Sequence, residues 1–272
     1  MRPYVPGDRL AWIDWYASAR QSLVHDDDLF VVRQFYEEVA PRVIIVVDRR
    51  ASMALYPPEF PWLVKPRAVR EATTAIIAAA HSARAYVGYL EFARHPAGTE
   101  AEPLWISPHR QSARRVGERL KSEFDAPENS FELAMDYLFT LHRDVPAGSF
   151  VFILSDFLRG LPDSIWSEAR SRNWDVVPVI VQDPVWEQSF PDVPRWVIPF
   201  RDPVSGEPGT FRLSPNEVRE RKQANEARLQ GLLGQFTRLR FDPVLLDTSV
   251  PREVDLAFIR WATRRRIGRG RA

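Results

Sequence analysis

The chain has 272 residues, 45% hydrophobic and 12% aromatic, enough to bury a core and too apolar for wholesale disorder. Its 37 basic and 36 acidic residues leave a formal net charge of +1, which gives no reason to expect a nucleic-acid or other polyanion-binding surface. The lack of cysteine excludes disulfides, thiolate metal sites and cysteine nucleophiles and fits a cytoplasmic location, and no apolar run approaches the roughly 20 residues that span a bilayer.

The first forty residues read as an arm of short strands and turns packed on a larger body. PYVPGD supplies turns, and Trp12, Ile13 and Trp15 are placed to pin the arm, with Asp14 and Arg20 pairing with each other or with backbone. From Arg42 the texture changes. VIIVVD (Val43 to Asp48) is a continuous β-branched run, as in a strand covered on both faces. Ala68, Val69, Ala72, Ile76, Ala79 and Ala80 recur at helical spacing behind Pro66, predicting a helix over 66–84. AYVGYLEF (85–92) is a second strand and PLWIS a short one at an edge. FELAMDYLFTLH (131–142) reads as a helix and SFVFILSD (149–156) as another buried strand. DSIWSEARSR is a short helix leading into the strand DVVPVIVQD (175–183), where Pro178 argues for a position near an edge or a bulge.

Ser214, Pro215 and Glu217 make a capping box that opens a helix over 214–239, charged nearly all round in its first half. FDPVLLD is a last strand, and 253–266 a last helix with Val254, Ala257, Phe258 and Trp261 inward. Strands alternating with helices in this way predict an α/β domain over 41–266, mostly a parallel sheet with helices on both faces, ahead of a basic tail at 267–272.

Such sheets bind beyond the carboxyl ends of their strands, where strand order reverses. Two strands end in aspartate beside a small polar residue, VVDRRAS and ILSDF, so neighbouring strands would bring Asp48 and Asp156 to one crevice. Asp48, Ser52, Asp156 and either Asn129 or Ser130 could then hold Mg²⁺. The alternative is local: Asp48 caps its turn and Asp156 satisfies nearby amides. ALYPPEFPWLVK, just after the first loop, is a packed surface loop or a rigid aromatic contact for a partner, with Tyr56, Phe60 and Trp62 the residues to test. The five histidines are scattered, and no HExxH, GxSxG or GxxxxGK motif is present, so a hydrolase would lack its nucleophile or phosphate cradle.

RPYVPGDRLAWIDWYASAR, VIIVVDRRASM, FILSDF and VVPVIVQDPVWEQSFP, in that order, resemble the domain-of-unknown-function family DUF58, bacterial proteins similar to von Willebrand factor type A (vWA) domains. The resemblance implies a Rossmann-like vWA fold with a metal-ion-dependent adhesion site, Asp-x-Ser-x-Ser plus a distant Thr and a distant Asp. Carried over, Asp48 matches the first aspartate, Ser52 the second serine and Asp156 the last aspartate. Arg50 stands at the first serine, and the threonine falls on Asn129 or Ser130.

The site is therefore degenerate. A like charge about 4 Å from a cation costs roughly 4 kcal/mol at an effective dielectric near 20, doubled for a divalent ion. An inward Arg50 would displace the metal and bridge Asp48 and Asp156 with its forked donors, whereas an outward Arg50 would reach solvent and leave the site to a cation. Arg49, expected to face solvent, would offer a second cation to an acidic partner residue. The resemblance further implies a non-enzymatic interaction module that partners a MoxR-type AAA+ ATPase in chaperone-like assembly or remodelling of a client protein. The alternatives are a Mg-dependent vWA adhesion module and, more distantly, a metal-dependent phosphohydrolase built on the paired aspartates. Relatives often carry membrane helices before the RPYVPGD block, which here starts at residue two.

Overall fold

The computed structural model describes residues 2–3, 13–25, 29–32, 40–55, 62–94, 101–109, 111–120, 123–141, 143–202 and 207–269. The chain falls into two compact units, Met1–Val39 and Ala40–Ala272.

In the first unit, β1 (Arg2–Pro3) pairs antiparallel with β2 (Val31–Val32), and α1 (Trp15–His25) lies between them in sequence. Asp14 starts that helix: its Oδ1 accepts the Ala17 amide at 3.1 Å, the bond of a helix N-cap. Ser18 Oγ donates to the Asp14 carbonyl at 2.7 Å and accepts the Val31 amide at 2.9 Å, tying helix to strand. Trp15 meets Phe30 edge-on, with ring centroids 6.1 Å apart. Trp12 lies outside the described residues.

The second unit runs β3 (Arg42–Val47), a 3₁₀ turn (Ala51–Ala54), α2 (Lys65–Ser82), β4 (Tyr86–Arg94), β5 (Ala101–His109), α3 (Ser112–Arg119), α4 (Ser130–Thr140) and β6 (Phe150–Ser155). It continues through α5 (Asp163–Ser171), β7 (Asp175–Val181), β8 (Val197–Arg201), β9 (Pro208–Arg212), α6 (Pro215–Arg238), β10 (Val244–Leu246) and α7 (Pro251–Arg269). Six strands form one sheet in the order β10-β7-β6-β3-β4-β5. All neighbours are parallel except β4 and β5, so this is a mixed α/β unit built on a mostly parallel sheet, as the alternation of strands and helices predicts.

The sheet is covered on both faces, and alternation along each strand divides its side chains between them. On β3, Val43, Ile45 and Val47 join residues of α2 and α7. Ile44 and Val46 point the other way, into a cluster with α4, α5 and α6. A run apolar at every position is what such a two-faced strand requires. α6 opens with the full capping box: Ser214 Oγ accepts the Glu217 amide at 3.3 Å and Glu217 Oε2 accepts the Ser214 amide at 2.7 Å. In α7, Val254 and Trp261 are buried and Ala257 and Phe258 pack partly against the same core. That helix extends to Arg269, so it takes in the start of the segment read as a tail.

Pro178 lies on an inner strand, paired with Ile153 of β6. Its missing N–H is tolerated because β10 is short, its ladder with β7 beginning only at Val179. PLWIS belongs to a longer edge strand, antiparallel to β4, whose register shifts between Val87 and Tyr89. Gly88 sits at that irregularity, where a Cβ would lie 2.9 Å from Ile44 Cδ1 and 3.2 Å from the Ile106 carbonyl oxygen. Four of these elements had no expectation from sequence: α3, the antiparallel pair β8 and β9, and α1, an 11-residue helix where short strands and turns were expected.

Candidate functional site

Strand order reverses between β3 and β6, which places Asp48 and Asp156 at adjacent carboxyl ends, one residue past each strand. Both are fully buried, as are Arg50 and Lys65. The Asp48 backbone continues the ladder by donating to the Leu154 carbonyl at 3.0 Å.

Arg50 turns inward. Its Nε donates to Asp48 Oδ1 and Oδ2 at 3.0 and 3.1 Å, and Nη2 donates to Oδ2 at 2.7 Å. The Arg50 amide adds a bond to Oδ1 at 3.0 Å, and Ser155 Oγ donates to Oδ2 at 2.7 Å. Both oxygens of Asp48 are thus engaged several times over. The guanidinium lies 5.2 Å from the centre of the Phe131 ring. Burial opposes its charge, but the hydrogen bonds and field of Asp48, then the fields of Asp156 and Glu128, outweigh that and hold its pKa above the ordinary value.

The expected bridge from Arg50 to both aspartates does not form. Asp156 is bonded by Lys65, whose Nζ donates to Oδ2 at 3.0 Å. The same ammonium donates to Glu187 Oε1 at 2.5 Å and to the Ser52 carbonyl at 3.0 Å. Asp156 Oδ1 accepts the Leu158 amide at 3.1 Å, and the Asp156 carbonyl accepts from Gln182 Nε2 at 2.6 Å. Glu187 Oε2 in turn accepts the Asp183 amide at 2.7 Å. Burial raises the Glu187 pKa, Lys65 opposes it, and the Asp156 field adds to it, leaving the group at about 7.

Between the two aspartate systems the backbone is strained. Phe157 has φ of 50°, a left-handed conformation costly for a bulky residue. Its amide bonds to Ser155 Oγ at 3.0 Å, and its buried ring packs against Phe131, Trp166 and Phe236 at centroid distances of 6.0, 6.1 and 5.5 Å. Those contacts fix the turn that presents Asp156.

Arg49 does not face solvent. It is 1% exposed, its Nε donating to Glu91 Oε2 at 2.6 Å and its Nη2 to Tyr89 Oη and the Arg119 carbonyl at 3.0 and 2.9 Å. Burial works against this charge too, and Tyr89 and Glu91 outweigh it, holding the pKa above the ordinary value. It is therefore withdrawn from the partner-contact candidates, and so is Arg50, named as a second such contact and only 3% exposed, because a buried, paired cation offers nothing to a second protein. Ser130 opens α4, with its hydroxyl buried and unpartnered among the described residues. Asn129 is exposed at the cap position without a side-chain cap bond. Trp62 is 43% exposed, whereas Tyr56 and Phe60 lie outside the described residues.

The residues present do not fit a divalent cation. Mg²⁺ needs carboxylate oxygens free at about 2.0–2.1 Å, and here Asp48 is bound by a guanidinium and Asp156 by an ammonium. Lys65 and Glu187 went unread in the sequence, and Ser155 was noted only as the small polar residue beside Asp156. The available signal was a lysine at the first position of a helix, where the macrodipole disfavours positive charge, so that it calls for an acidic partner. Glu91 carried a similar signal, a carboxylate inside an apolar strand.

No curated protein matches the chain. Among solved structures, similarity extends to an aerotolerance-related membrane protein from Bacteroides fragilis NCTC 9343 carrying multiple mutations to serine. That match has 12% identity and a TM-score of 0.47 over 82% of this chain and 100% of the other. The conserved hypothetical protein BatB from Bacteroides thetaiotaomicron matches at 15% identity and a TM-score of 0.41, over 82% of this chain and 100% of BatB. The pilus adhesin SpaC from Lactobacillus rhamnosus GG matches at 12% identity and a TM-score of 0.41, over 84% of this chain and 30% of SpaC. The model of the family described as "Protein of unknown function DUF58" matches residues 1–231, and the chain belongs to that family.

Proposed function

We propose that this chain is a non-enzymatic protein-interaction module that docks through the carboxyl-terminal end of its sheet, and that it partners a MoxR-type AAA+ ATPase in chaperone-like work on a client protein. One observation carries the reading: each strand-end carboxylate is already paired with a side-chain cation, Asp48 with Arg50 and Asp156 with Lys65. Carboxylates bonded in this way are poor general bases and poor metal ligands, yet they hold their loops in a fixed shape, and a preorganised surface loses little entropy on docking. Around the buried pairs the accessible groups suit a protein partner. Trp62, three residues before Lys65 in sequence, is a half-exposed aromatic, and Arg159 and Glu128 form an exposed ion pair at 3.4 Å. The Arg159 carbonyl accepts from Arg50 Nη2 at 3.5 Å, which places that pair beside the site.

The test is co-capture of the purified chain with the MoxR-type ATPase of the same cell, with and without a chelator. Capture is expected to be unchanged by the chelator and to fall at least roughly tenfold in a Trp62→Ala, Arg159→Glu variant, about the loss of one interface hot spot. Absence of capture in every condition refutes the partner assignment, and release by the chelator favours the Mg-dependent adhesion reading instead.

A further inference from the structure

Three oxygens from three separate segments converge on Lys65 Nζ: the Ser52 carbonyl after β3, Asp156 Oδ2 after β6 and Glu187 Oε1 after β7. The lysine and both carboxylates are at most 3% exposed. Two carboxylates and a backbone carbonyl are the donor set that proteins use to hold a free hard cation. Here that position is filled by an ammonium on a flexible stem, a compact point charge with three rotatable donors. The spacing of 2.5–3.0 Å around the central atom suits an N–H donor and exceeds the roughly 2.0–2.1 Å that Mg²⁺ demands. The position of the lysine makes the case sharper. It is the first residue of α2, where the helix dipole works against a positive charge, so the acidic cage and not the helix accounts for it.

We infer that these oxygens form a monovalent-cation site whose resident ion is the tethered ammonium of Lys65, distinct from the Asp48–Arg50 pair. A free ammonium or methylammonium ion enters it once the tether is removed. This goes beyond the docking function and does not depend on it, because the chain is tested alone.

The experiment is thermal unfolding of Lys65→Ala. Loss of the ammonium strands two buried carboxylates, and the melting temperature is expected to fall by about 10 °C. Ammonium or methylammonium chloride at high millimolar concentration restores roughly half of that loss. Tetramethylammonium chloride at the same ionic strength does not, since it has no N–H and is too bulky. Lys65→Met is the second variant: its stem fills the space without charge, so it is destabilised and gains nothing from ammonium. Arg50→Ser, which keeps Lys65 and perturbs only the Asp48 pair, gains no stability from ammonium. Equal rescue by all three salts, a Lys65→Ala chain that stays unfolded in ammonium, rescue of Lys65→Met, or stronger rescue by MgCl₂ than by ammonium would each overturn the assignment.

Discussion

Glu187 carries a finely balanced charge. Burial lifts its pKa from 4.5 to about 7 against the pull of Lys65. Because the folded-state value is raised, the folded chain binds an extra proton that the unfolded chain has released. That contribution is complete below about pH 4.5 and is lost as pH rises through about 7, a change on the order of 3 kcal/mol for this shift. Glu187→Gln is expected to flatten this part of the stability profile, as measured by urea unfolding at a series of pH values. An unchanged slope between pH 4.5 and 7 would mean another group titrates there. Arg49 makes a second argument at this scale. With Glu91 buried beside it, Arg49→Met leaves a carboxylate without its cation and should cost about 3–5 kcal/mol, whereas Arg49→Met with Glu91→Gln should recover most of that in a double-mutant cycle. Additive losses would show that the pair does not act as a unit.

At the scale of elements, the irregularity between β4 and β5 is set by the missing side chain at Gly88. Gly88→Ala presses a methyl against Ile44 and the Ile106 carbonyl, and should destabilise by about 1–3 kcal/mol in chemical unfolding; adding Ile44→Val should return part of it. No recovery in the double variant would locate the strain in the backbone. The same elements show why some structure was readable and some was not. β3, β6 and β7 are continuous apolar runs because both faces are covered, and α6 announces itself through Ser214, Pro215 and Glu217. The pair β8 and β9 gives no such sign. VIPFR and PGTFR carry prolines, and β9 alternates only between exposed and half-buried positions, so neither shows the period of a core strand. In α3, SARRVGER buries only Ser112 and Val116, leaving little apolar stripe to detect.

For the whole molecule, the order of strands decides where chemistry-bearing residues meet. Reversal between β3 and β6 follows from alternating strands and helices, and it puts Asp48 beside Asp156, as their places at strand ends foretold. The identity of the cation on Asp156 could not be foretold in the same way. Lys65 is separated by 91 residues from Asp156 and by 122 from Glu187. Only the folded packing of α2 against the sheet joins them. Arg50, two residues from Asp48, was within reach of a local reading that still left its inward and outward directions open, while the burial of Arg49 depends on Glu91 of the neighbouring strand.

The grip of one amine on Ser52, Asp156 and Glu187 has a mechanical consequence. The rims after β3, β6 and β7 are stitched at a single knot, so a pull applied to any of the three is shared by the others. A motor that tugged on this end of the molecule would therefore meet resistance from the sheet itself rather than from a lone flap.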